Sequence, residues 1–112
     1  MADVLGTFAQ AVLIEVLRLG EDAYGRAILK AVQLRLERDV AAGAVHSTLE
    51  RLERKGVLSS RLGSGTPVRA GRPRRYYLVQ PAGMRALDDA RRTVNNIWRG
   101  LKWPVVKARW SV

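Results

Sequence analysis

The chain has 112 residues, 47% of them hydrophobic, and carries 20 lysines and arginines against 10 acidic residues, a formal net charge of +10. That length supports one compact core rather than two ordinary domains, and the charge favours a polyanionic partner, either nucleic acid or an anionic membrane surface. The absence of cysteine excludes a disulfide framework and a thiolate zinc site.

The N-terminal segment has no basic n-region, and its longest unbroken apolar run, Ala11 to Ile14, is far too short to span a bilayer, so a soluble, cytoplasmic protein is expected. Leu5, Phe8, Val12, Val16 and Leu19 recur every three or four positions and predict a first helix over Leu5 to Leu19, ended by Gly20. Asp22 is the expected N-cap of a second helix, Ala23 to Leu36, with Ile28, Ala31 and Val32 on one face. A third runs from about Ala42 to Lys55, with Val45, Leu49 and Leu52 inward and Gly56 closing it. Val57 to Leu62 and Arg74 to Val79 then read as strands around a long basic loop, Gly63 to Pro73. Tyr76 and Tyr77 are neighbours on a strand, so one faces the core and the other does not. Pro81 opens a last helix whose seam, Leu87, Ala90, Val94, Ile97 and Leu101, alternates spacings of three and four until Pro104 stops it.

The expected fold is mainly α with a small β-hairpin wing: a winged helix-turn-helix over residues 1–80, a C-terminal dimerisation helix over 81–104 and a tail over 105–112. In that order of elements the third helix enters the major groove and the wing touches backbone or minor groove. Gly43, His46, Ser47, Glu50, Arg51 and Arg54 fall opposite the apolar stripe of the third helix. Small residues let backbone approach bases, and Arg51 and Arg54 offer forked donors to phosphate or guanine. The competing reading of such a face is an ordinary solvated one. Arg69, Arg72, Arg74 and Arg75 cluster in the wing, and no acidic residue lies between Arg54 and Asp88, a pattern that suits phosphate contact.

Three segments, AYGRAI (23–28), GAVHSTLERLERKGVLSS (43–60) and AGRPRRYYLVQPAGMRAL (70–87), in this order and spacing, resemble the PadR family. The resemblance covers about Leu5 to Leu87. It implies a bacterial or archaeal cytoplasmic regulator, usually a repressor, that dimerises through its C-terminal helix and binds palindromic operator DNA. Position by position it places Tyr24 near the DNA backbone, the third helix in the recognition role and Arg72, Arg74 and Arg75 in the basic wing. Two residues depart from the pattern: His46 stands where the family commonly has tyrosine, and Gln80 where it often has threonine before the proline. A single long helix after the wing resembles the family's short subgroup.

One histidine, no cysteine, no phosphate-binding glycine loop and no metal-ligand spacing argue against an enzyme, a metal or a cofactor. The expected partners are double-stranded DNA and a second copy of the chain. Trp98, beside the seam, is the candidate contact for a small hydrophobic or aromatic effector, with ordinary interface packing as its alternative. The rival classes are a basic membrane-surface module, suggested by Trp98, Trp103 and Trp110 among basic residues, and a protein-interaction winged helix.

Overall fold

The computed structural model describes residues 5–63 and 73–102. Helix α1 spans Thr7–Leu19, α2 Gly25–Leu36 and α3 Ala42–Arg54; strands β1 (Leu58–Leu62) and β2 (Arg75–Val79) follow, and α4 spans Pro81–Trp98. Three helices, an antiparallel hairpin and a long final helix make the expected winged helix with a C-terminal helix.

The three N-terminal helices share one core because each carries a buried stripe at helical spacing: Val12, Leu13 and Val16 from α1, Ile28 and Val32 from α2, and Val45, Leu49 and Leu52 from α3. Leu58 and Tyr77 close that core from the hairpin. Tyr77 is the inward member of the tyrosine pair, and Tyr76 is half-buried on the other face. The strands pair in the register Leu58↔Val79 to Leu62↔Arg75.

The start of α2 differs from the expectation. Asp22 does not cap it; a 3₁₀ turn over Gly20–Asp22 intervenes, and the residue before the helix is Tyr24, in extended backbone. The cause is tertiary. Ala23 is fully buried, its carbonyl accepts a hydrogen bond from the Tyr77 amide at 2.9 Å, and Tyr24 forms an isolated antiparallel bridge with Tyr76. Residues 23 and 24 thus act as a short third strand beside β2, and the helix begins one residue later.

A buried ion pair joins α1 to α2. Glu15, 3% exposed, accepts from Arg35 Nε at 3.0 Å and lies 3.3 Å from Arg18 Nε. A carboxylate inside a small core is tolerable because two guanidinium groups reach it from the half-exposed rim.

Helix α4 starts at Pro81, which has no amide hydrogen to leave unpaired. Gln80 provides no side-chain cap; its Nε2 donates instead to Ser59 Oγ at 2.7 Å and ties the helix start to β1. Gly83 permits close packing there, since a Cβ would stand 2.5 Å from the Val57 carbonyl oxygen and 2.8 Å from Val79 Cγ1. The far end is shorter than the heptad pattern predicts: the helix closes at Trp98, Arg99 is extended and Gly100 takes φ of +82°. Leu101 therefore lies past the helix rather than in its seam, and Gly100, not Pro104, ends the run. Among the described residues no helix is long and apolar enough to cross a membrane.

Candidate nucleic-acid interface

The exposed side of α3 is built by elimination. Val45, Thr48, Leu49 and Leu52 turn inward, which leaves Gly43, His46, Ser47, Glu50, Arg51 and Arg54 exposed. His46 Nε2 lies 3.5 Å from Glu50 Oε2 one turn on. Among the described residues Arg51 and Arg54 have no carboxylate within ion-pair distance. Glu53, on the wing side, accepts from Ser60 Oγ at 2.7 Å, and that hydroxyl in turn accepts from Arg75 Nη1 at 3.0 Å. This relay links α3 through β1 to β2 and fixes Arg75 relative to the helix.

A second cluster forms where the bridge brings α2 to the hairpin. The Tyr24 and Tyr76 rings meet edge to face with centroids 5.8 Å apart. Arg74 sits over the Tyr24 ring at 4.0 Å and Arg61 over the Tyr76 ring at 5.5 Å. Two guanidinium groups thus flank an aromatic pair, which holds them through the ring quadrupoles while leaving their N–H donors for another partner. Arg61 had no place in the sequence reading; the signal was the strand register, which sets it directly opposite Tyr76. Burial raises the Tyr77 phenol above the ordinary tyrosine range; Glu53 and Glu50 add to the rise and Arg75 opposes it, so the core tyrosine stays neutral. Arg69 and Arg72 lie outside the described residues.

The expected seam of α4 divides in two. Leu87 packs against the core and Ala90 is buried within one protomer, whereas Val94, Ile97 and Leu101 stand open, Ile97 at 71%. Trp98, at 48%, flanks them. Leu17 of α1 and Met84 of α4 are also exposed, and a groove of about 490 Å³ between the two helices is lined by Ile14, Leu17, Met84, Leu87 and Val94 among others. The adjacent acids Asp88 and Asp89 are paired with Arg91 and Arg92. The described residues contain no group of side chains arranged to hold a metal ion. Trp103 and Trp110, which suggested a membrane surface, lie outside the described residues.

The profile of the transcriptional regulator PadR-like family matches residues 13–89. A PadR family transcriptional regulator from Eggerthella lenta superposes with a TM-score of 0.66 at 26% identity, over 82% of this chain and 75% of that one. A PadR family transcription regulator from Clostridium difficile gives 0.62 at 22%, over 83% and 95%. The Bordetella bronchiseptica regulator BpsR, described by its mechanism for regulation of DNA binding by 6-hydroxynicotinic acid, gives 0.60 at 17%, over 91% and 72%, a likeness of fold alone. No curated protein matches the sequence. The family's members are transcription regulators and not enzymes, and with the match spanning the helices, the wing and the start of α4, this chain belongs to the PadR-like family of transcriptional regulators.

Proposed function

We propose that the protein is a sequence-specific double-stranded DNA-binding regulator in the cytoplasm, acting as a homodimer on a palindromic operator, most simply as a repressor. The observation that carries this reading is the pairing of two exposed recognition-helix arginines with two arginines anchored at the base of the wing: Arg51 and Arg54 on α3, and Arg74 and Arg75 held by Tyr24 and by Ser60. The helix supplies donors at groove width, and the wing supplies phosphate contacts that set register. Tyr24, Gly43, His46 and Ser47 complete the surface, with the small residues where backbone would meet base edges. The dimer reading rests on Val94 and Ile97, left uncovered beside the apolar groove between α1 and α4. Two-fold symmetry would then place two recognition helices on successive turns of one duplex face.

The same surface supports an effector role for Trp98. A half-exposed indole one turn beyond Val94 offers a stacking wall for a flat hydrophobic compound if its symmetry mate lies opposite. Fluorescence titration of wild type and Trp98→Ala with planar aromatic compounds tests this, and identical binding by the two proteins would dismiss the site.

Selection of bound duplexes from a random pool tests the main reading. Enrichment of a motif with two-fold symmetry is expected. Enrichment of nothing, together with binding to anionic vesicles or to a protein partner, would favour the membrane-surface or protein-interaction class instead.

A further inference from the structure

We infer that Glu50 is a specificity-determining residue that reads a cytosine through its exocyclic amine, an inference that rests on the DNA-binding reading above. At about 100° per residue, Gly43, Ser47, Glu50 and Arg54 lie within about 30° of the direction opposite the buried stripe of α3. They form the ridge farthest from the core, with His46 and Arg51 on its two flanks. When α3 enters a major groove, this ridge reaches deepest, toward base edges, while the flanks face the phosphates.

A carboxylate is anomalous there. The two acidic residues of α3 differ in what they hold: Glu53 accepts from Ser60 and belongs to the relay that fixes Arg75, whereas Glu50 lies 3.5 Å from His46 on the same helix. Phosphates repel a carboxylate, so Glu50 opposes binding to an arbitrary duplex unless a donor on a base edge compensates it. The major groove offers two such donors, cytosine N4 and adenine N6. Adenine N6 adjoins the N7 acceptor, which repels the second carboxylate oxygen; cytosine carries no acceptor beside N4 on its own groove edge. Guanine and thymine present acceptors only. Glu50 therefore penalises three bases and accepts one, discrimination that phosphate-contacting arginines in the wing, satisfied by any sequence, do not supply.

The test is parallel selection from a random duplex pool with wild type, Glu50→Ala and Glu50→Gln, followed by affinities for the wild-type motif and an unrelated duplex. The wild-type motif is expected to fix a cytosine, with its paired guanine, in each half-site. Glu50→Ala should flatten preference at that position by about ten-fold or more and bind the unrelated duplex more tightly. Glu50→Gln, able to donate and accept, should shift the position toward adenine. Retained binding to the unrelated duplex confirms that each variant is folded. A wild-type motif without a fixed cytosine, or the same motif from all three proteins, would overturn the role of Glu50 alone. No motif from wild type would remove the sequence-specific reading beneath it.

Discussion

The Arg74 guanidinium lies 4.0 Å from the centroid of the Tyr24 ring, so the wing's return into β2 is seated on the residue that leads into α2. A cation already held against an aromatic face loses less freedom on meeting a phosphate. Replacing Tyr24 by alanine should weaken binding to every duplex by roughly two- to five-fold, the worth of about 0.5–1 kcal/mol for an exposed cation–π contact. Tyr24→Phe keeps the ring and should bind like wild type in fluorescence anisotropy. An equal loss in both variants would assign the effect to the hydroxyl instead.

Glu15 should matter to stability and not to recognition. Glu15→Ala removes the acceptor shared by Arg18 and Arg35 and leaves a polar gap between α1 and α2. Both arginines are half-exposed and regain water, so the expected loss is only about 1–2 kcal/mol. Urea denaturation measures it, and at temperatures where the variant is folded its DNA affinity should equal that of wild type.

Gly83→Ala sets two effects against each other. Alanine gains up to about 1 kcal/mol over glycine in a helix interior and less in the first turn of α4, where residue 83 lies. Here the new Cβ would meet the Val57 carbonyl oxygen at 2.5 Å, and that backbone is fixed because the same oxygen accepts from the Gln80 amide at 2.9 Å. The steric cost of about 1–3 kcal/mol should win, giving a net loss and a lower Tm. A raised Tm would show that the α4 start can shift away from β1.

Val94 is 44% exposed in one protomer, so aspartate there should leave the protomer folded. In the proposed dimer it would bury an unpaired charge. Sedimentation velocity at micromolar concentration should show a dimer for wild type and a monomer for Val94→Asp, with weakened operator binding. A monomeric wild type would contradict the interface.

Most of the fold was legible because periodicity reports burial directly: Val12, Val16, Ile28, Val32, Val45, Leu49 and Leu52 all lie in the core where spacing put them. The failures have two physical origins, long-range pairing that local pattern does not encode and a local helix stop that apolar spacing does not register. Ala23 and Tyr24 look like the first turn of a helix until β2 recruits them as strand. The apolar spacing of α4 continues to Leu101, but Gly100, with its positive φ, stops the helix before it. In the candidate interface, the outward face of α3 followed from the helical wheel. The seating of Arg74 and Arg75, and the place of Arg61, required the strand register and so emerged only from the folded chain.

The central claim, that Arg74 and Arg75 at the base of the wing hold DNA together with α3, is tested most directly by anisotropy titrations of a selected duplex and a scrambled one across a salt series. Wild type, Arg74→Ala and Arg75→Ala should be compared. For wild type, log affinity should fall steeply with log salt on both duplexes, by about 0.9 per phosphate neutralised, with the selected duplex bound more tightly throughout. Each arginine variant should lower the slope by about one on both duplexes alike. A salt-independent affinity, or slopes unchanged by either substitution, would contradict the account.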